Sequence, residues 1–296
     1  LGPRVTIPIP IFGFTVFLLV AAGTADRKEF PPVQECPHDP EQLYVPAGEF
    51  WIGSTRKERE FAYRLDKEAT RRYGWYEKET RRKARTRSFC IDPYPVTNAQ
   101  YKLFGDETGH PEPFIAPEAY QRQGFLAHPY DKVKEFLWKQ GSFPPDRKDH
   151  PVVLVSLDDA TSYCAWIGKK MKRRYRLPTE AEWEKAARGT DQRIFPWGNQ
   201  WNPDYLNSDE RFGSTTPVSR FPQGRSPYGL YDMAGDIFQW TQTPWDEEKF
   251  VLKGCGWDDL PGTCRAAMRH GRPPQSKHIL FGFHCVSDVE EQQGKK

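Results

Sequence analysis

One loop-rich α+β domain is the fold this sequence predicts, on three observations. The 296 residues include 27 prolines, 23 glycines and 10 tryptophans. That is too much punctuation for long helices or a regular open sheet, whereas large flat rings fill a core between irregular loops. Charged residues make up 28% of the chain and the net charge is only +3. This is a soluble globular balance, not a disordered tail or a nucleic-acid binder. Helix-start signals alternate with short strand-like runs, and the length is enough to bury a full core without calling for a second domain.

Residues 1–25 stand apart from the fold. Arg4 precedes an apolar run over 5–22, broken by Pro8, Pro10 and Gly13, and small residues follow before charge at Asp26 and Arg27. A basic start, an apolar stretch and small residues read as an export signal cut near Ala25, which places the mature chain in the periplasm or another extracytoplasmic space. An uncleaved membrane anchor competes with that reading, because eighteen residues approach a bilayer's thickness. Residues 26–43 read as a linker and 289–296 as a polar tail.

Along the fold itself, residues 43–52 alternate around Pro-Ala-Gly and predict strand, turn and strand. Residues 55–88 hold 13 basic and 6 acidic side chains. Phe61, Leu65 and Ala69 at four-residue spacing predict a helix in the first half of that stretch. It is read as a solvated charged insertion, or as a basic patch for an anionic surface. Residues 89–94 form a short strand. Thr97 caps a helix over 98–107, and Ser156 caps one over 157–171 with Ala160, Tyr163, Cys164, Ile167 and Met171 as its apolar stripe. Thr179 caps 180–188, with Glu182 completing a capping box. Residues 105–150 read as a variable insertion that rims the site surface.

Six cysteines (36, 90, 164, 255, 264, 285) form an even set, and their spacing does not choose among fifteen pairings. The seven histidines include no helical pair at four-residue spacing. His270, His278 and His284 lie near one another in sequence, as a metal set or as plain core and surface histidines.

Five motifs, in order, carry a resemblance: YVPAGEFWIGS at 44–54, FCIDPYPVTNAQY at 89–101, PVVLVSLDDATSYCAW with YRLPTEAEWEKAARG within 151–189, FPWGN at 195–199, and YGLYDMAGDIFQW at 228–240. The segment LKGCGWDDLPGTCRAAMRHGRPPQSKHILFGFHCV closes the series at 252–286. Together they resemble the formylglycine-generating enzyme (sulfatase-modifying factor) family, which implies one domain over 44–288 related to the C-type lectin fold. Family members that oxidise a sulfatase cysteine carry two cysteines five residues apart after a longer version of this last turn, and hold copper there through the two thiolates. Here only DDLPGT separates Gly256-Trp257 from Cys264. The resemblance therefore implies a member without the reactive pair and without bound copper.

It also implies a bridge between Cys164 and Cys285. The family's second bridge would join Cys264 to the position of Ala187, which cannot pair. Cys264 is left free or bonded elsewhere, with Cys255 the nearest candidate and Cys36–Cys90 the remainder. Oxygen ligands at Asn207, Asp236 and Gln239 would answer to a family calcium site, although Gln239 stands where the family places a glutamate. The candidate pocket gathers Trp257, Asp258, Asp259, Arg269, His270 and Arg272 above the C-terminal turn. An aromatic beside paired charges suits a peptide or sugar. Arg265 is read as a buried structural arginine, and Trp257 as core. The function expected is an exported, non-catalytic binding or accessory subunit with a protein or peptide partner, and membrane contact only through an uncleaved N-terminal segment. The alternative is an oxidase or tailoring enzyme acting on a peptide with altered chemistry.

Overall fold

The computed structural model describes residues 32–124 and 128–289, so the export or anchor reading of 1–25 lies outside the described residues. Among the described residues, three small sheets and six α-helices are linked by long ordered loops. The first sheet has five antiparallel strands in the order β1-β2-β5-β11-β6: β1 (Glu35–Cys36), β2 (Asp39–Val45), β5 (Phe89–Ile91), β11 (Val286–Asp288) and β6 (Tyr175–Arg176). The second runs β10-β7-β8-β9, from β7 (Phe238–Pro244), β8 (Phe250–Gly254), β9 (Arg269–Arg272) and β10 (Phe281–Gly282). A two-stranded ribbon pairs β3 (Gly48–Ile52) with β4 (Arg82–Thr86).

Residues 39–43, read as linker, are strand. Gln42 and Asp39 are buried there because their side chains bond Asp92 and Tyr175 within the sheet. The two strands within 43–52 do not form a hairpin either. Pro46 and Ala47 send β3 away to pair with β4 at the far end of the charged insertion, while β2 pairs with β5.

Four helices start on capping boxes, in which a hydroxyl accepts from the N3 amide and the N3 side chain returns to the cap amide. They are α1 (Arg56–Leu65) with Thr55 and Glu58, α2 (Asn98–Thr108) with Thr97 and Gln100, α5 (Leu157–Met171) with Ser156 and Asp159, and α6 (Glu180–Arg188) with Thr179 and Glu182. In α5, Ala160, Tyr163 and Cys164 enter the core, but Met171 in the last turn is exposed. Helix α1 buries Ala62 and Tyr63 and ends at Leu65. Ala69, expected on its apolar face, is exposed because the chain has already left the helix.

The stretch 105–150 is mostly framework. Short helices α3 (Pro117–Arg122) and α4 (Tyr130–Val133), with Ile115, Tyr120, Phe136 and Trp138, fill the main core against α2, α5 and β7. A second core lies under α6, where Trp183 packs with Val45, Phe89, Leu230 and Val286. Glu184, fully buried on α6, binds Lys253 at 2.8 Å and Arg188 at 3.1 Å and accepts from the Gly53 amide at 2.7 Å. This network ties the helix to β8 and to the end of β3. Disulfides join Cys36–Cys90, Cys164–Cys285 and Cys255–Cys264. Among the described residues no helix is long and apolar enough to cross a membrane.

Candidate binding site

The site is built on the turn that follows β8. Gly254 takes φ +82°, and a Cβ there would lie 3.2 Å from Ile237 O. Cys255 and Cys264 then close the loop with Cα atoms 5.0 Å apart. At Gly256 a Cβ would lie 2.7 Å from Asp258 Oδ1, 2.9 Å from Leu280 and 3.2 Å from Asp259 Oδ2. Only glycine lets both carboxyl groups converge there. The Gly256 amide donates to Asp259 Oδ2 at 2.7 Å.

The charged insertion packs on this turn. Asp66, on the loop after α1, accepts from the Gly262 amide at 2.6 Å, from Thr70 Oγ1 at 2.7 Å and from the Tyr76 hydroxyl. Glu79 pairs with Arg265, and Met268 packs in one buried cluster with Ala62, Tyr63 and Tyr76. The insertion is therefore no free-standing solvated helix, although Arg56, Lys57, Arg64, Arg72, Arg82, Lys83 and Arg85 remain exposed on its outer side.

A cavity of about 460 Å³ opens above the turn, lined by Trp75, Phe238, Asp258, Asp259, Leu260, Thr263, Met268, His270, Arg272, His278, Leu280 and Phe281. Four of the six residues predicted for the pocket are brought together here: Asp258, Asp259, His270 and Arg272. Trp257 is instead core, 1% exposed and stacked on His128 at 4.7 Å. Its backbone bonds Asp236 O and the Glu210 amide and so turns the ring inward. Arg269 pairs with Glu180 at 2.8 Å and lies over Trp245 at 4.4 Å, outside the cavity lining. The wall residues Trp75, Phe238, His278 and Phe281 were not predicted for the pocket. Trp75 sits in the charged insertion, more than 180 positions from the turn, and only its glycine-preceded aromatic in a basic run could have flagged it.

Burial dominates the electrostatics of the cavity lining. Burial and the neighbouring Asp258 carboxyl push Asp259 well above the usual carboxylate range. Burial, then Arg272 and a second histidine, drops His270 to about 3; burial with His128 and Arg272 does the same to His278. Both imidazoles are neutral. Burial lowers Arg272 to about 10, which leaves it charged. Asp258 Oδ2 meets His128 Nε2 at 2.9 Å, while buried Asp258 Oδ1 has no hydrogen-bond partner.

Of the three predicted calcium ligands, two converge. Asn207 Nδ2 donates to Asp236 Oδ1 at 2.7 Å, the Thr216 amide donates to the same oxygen at 2.8 Å, and Asn207 Oδ1 and Asp236 Oδ2 are left buried without partners. Asp232 Oδ2 is a further buried oxygen without one. Gln239 does not fit the role. Its Oε1 accepts from Trp183 Nε1 at 2.6 Å and His284 Nδ1 at 2.7 Å, and its Nε2 donates to Asp232 O, so it is a spent hub of the core. His270 and His278 face the cavity while His284 is tied to Gln239, so the three do not form a metal set. Among the described residues the only close group of three soft or anionic ligands is Cys36, His38 and Cys90, whose two sulfurs are bonded to each other.

The capped helices, the small sheets and a ligand-sized cavity above a disulfide-closed turn define a domain of the formylglycine-generating-enzyme type, with a C-type lectin-like fold. Residues 27–289 match the sulfatase-modifying factor enzyme 1-like domain, and the chain belongs to that family. It is 30% identical to the inactive C-alpha-formylglycine-generating enzyme 2 of Mus musculus, over 85% of this chain and 87% of that one. To the formylglycine-generating enzyme of Mus musculus it is also 30% identical, over 82% and 74% of the two chains. Among solved structures, PvdO from Pseudomonas aeruginosa is similar at a TM-score of 0.65 and 22% identity, covering 86% of this chain and 97% of that one.

Proposed function

We propose that this chain is an exported, non-catalytic member of the family that binds a protein or peptide partner in the cavity above the C-terminal turn. The observation that carries the reading is the state of the cysteines: all six are in disulfides. No thiolate is left to attack a substrate or to hold a soft Cu(I) ion. Three bridges also suit an oxidising compartment. The similarity to relatives named as inactive, in Mus musculus and in Bos taurus, supports the same reading. The exposed basic groups of 55–88 offer an anionic surface a second contact outside the cavity.

The test is to incubate the purified chain with Cu(I), oxygen and a cysteine-bearing peptide, and in parallel to screen a peptide array for capture. No aldehyde by mass spectrometry, with capture that Arg272→Glu abolishes, is the expected result. Aldehyde formation would overturn the reading.

One observation favours a second reading, an enzyme acting on a peptide with altered chemistry. Asp259, raised well above the usual carboxylate range by burial and a second carboxyl, shares an open cavity with a neutral His270, an arrangement that suits proton transfer. Conversion of a peptide that Asp259→Asn abolishes would decide for it.

We infer further that Asn207 and Asp236, rather than Gln239, hold a calcium ion. A hard cation supplies the partner that the two buried oxygens lack.

A further inference from the structure

The Cys36–Cys90 bridge differs from the other two in what stands beside it. Pro37 and His38 are the central pair of the tight turn between β1 and β2, across which Cys36 faces Asp39. Proline presets the backbone of such a turn. The turn folds the His38 ring back on its own strand, with Nε2 3.3 Å from Cys36 Sγ and 3.0 Å from Ser287 Oγ. Among the described residues, neither of the other bridges has a histidine or carboxyl group within 4.8 Å of both its sulfurs. The first bridge is also the nearest to solvent. Cys36 is 5% exposed, against 0–1% for the other five cysteines, and it sits on a two-residue strand at the edge of its sheet.

The hydrogen bonds fix which way the His38 proton points. Asp92 Oδ1 accepts from Gln42 Nε2 at 2.7 Å, which leaves Gln42 Oε1 for Ser287. The buried Ser287 hydroxyl donates to that oxygen and has no second hydrogen to give, so it meets His38 as an acceptor. Nε2 therefore carries the hydrogen, and the same N–H group lies beside Cys36 Sγ. A donor or a positive charge next to a sulfur favours thiolate over thiol.

We propose that Cys36 and Cys90 form a thiol–disulfide exchange site that takes two electrons from a dithiol in a partner peptide. One substrate thiolate attacks Cys36 Sγ, the sulfur at the sheet edge. The Cys36–Cys90 bond breaks, and Cys90 leaves as a thiolate and takes up the proton that the first substrate thiol released. The second substrate thiolate then attacks the substrate sulfur of the mixed disulfide and expels Cys36. His38 Nε2–H steadies that Cys36 thiolate until it takes the second substrate proton. The substrate dithiol ends as a disulfide and the Cys36–Cys90 bridge as two thiols. The exchange site lies on the first sheet and uses none of the cavity residues, so it is independent of the binding reading above.

The experiment is a redox titration of the full chain in reduced and oxidised dithiothreitol, with acid quench, alkylation and peptide mass spectrometry. The Cys36–Cys90 bridge is expected to open first, at a reduced-to-oxidised ratio at least about tenfold below that needed for the other two. In the chain opened only there, the pH profile of Cys36 alkylation should have its midpoint below the ordinary thiol value of about 8.5. His38→Ala, at a half-buried position, should return that midpoint towards 8.5 and slow oxidation of a two-cysteine peptide by about tenfold, with an unchanged melting temperature. His38→Gln, which keeps an N–H donor, should hold the midpoint nearer the parent value than His38→Ala does. Opening of this bridge together with or after the others would overturn the proposal, and the parent chain alone decides that point. A Cys36 midpoint at 8.5 or above, or one indifferent to His38→Ala, would overturn it equally.

Discussion

Glu79 and Arg265 lie 186 positions apart in sequence and meet in a two-pronged ion pair, Oε2 to Nη1 at 2.9 Å and Oε1 to Nη2 at 2.8 Å. Both side chains are shut away from water, at 0% and 1% exposure. The Glu79 carboxylate also accepts from Ser54 Oγ at 2.7 Å, and Arg265 Nε donates to Gly262 O at 2.8 Å, so both groups are satisfied. Through this pair the far end of the charged insertion is fastened to the floor of the cavity.

Breaking the pair from one side strands a buried guanidinium. Glu79→Gln is expected to cost about 3–5 kcal/mol, and the double change Glu79→Gln with Arg265→Met to recover much of that loss. Midpoints of urea unfolding check both. A loss below about 1 kcal/mol in the single variant would mean that water reaches the pair.

His284 gives the chain a built-in sensitivity to acid. Burial holds its imidazole down to about 3, with Nδ1–H donating to Gln239 Oε1 at 2.7 Å. The unfolded chain takes up a proton on this residue near pH 6.5, and the folded chain only near 3. Below about 6.5 the unfolded state therefore binds more protons. The stability contribution is complete above 6.5 and drains away as pH falls towards 3, by about 1.4 kcal/mol per pH unit. His284→Gln should flatten the stability–pH profile by that slope between pH 6 and 4. An unchanged slope would place the acid sensitivity elsewhere.

Calcium should stabilise the fold if Asn207 and Asp236 hold it. At a free concentration 100 times the dissociation constant the gain is about 2.7 kcal/mol. Differential scanning fluorimetry with and without chelator measures it. Asp236→Ala should remove the response, whereas Gln239→Glu should leave the chain without a better site, because that side chain is committed to Trp183 and His284. A melting temperature indifferent to calcium would count against the assignment.

Much of the scaffold was legible because its signals are local. Thr97, Ser156 and Thr179 each start a helix where a hydroxyl precedes an apolar period, and each is decided within one turn of chain. That Asp258, Asp259, His270 and Arg272 would line one cavity was legible because a single short segment carries them all. What was not legible is long-range. Nothing near Trp75 announces that Glu79 and Asp66 will dock it on a turn nearly two hundred positions away. The burial of Gln239 as a hub depends on Trp183 and His284, from a helix and a loop that only the fold brings together. Trp257 and Arg269 look like their pocket neighbours in sequence, and are separated from them only by the direction their backbone faces.

The bridge between Cys255 and Cys264 has a consequence for how such a protein diversifies. It closes the floor beneath Asp258 and Asp259 into a short loop, which Asp66 and Glu79 of the charged insertion hold from outside through the Gly262 amide and Arg265. The mouth is supplied by the charged insertion through Trp75, while the stretch 105–150 supports the lining from behind, with His128 on Asp258 at 2.9 Å and Tyr120 on His278 at 3.2 Å. The insertion thus has two parts: anchors at Asp66 and Glu79 that the floor needs, and a tip at Trp75 that only the mouth uses. Exchanging the tip while the anchors stay re-tools what the cavity admits, so new ligands are reached by changing a few residues between fixed points rather than by rebuilding the fold.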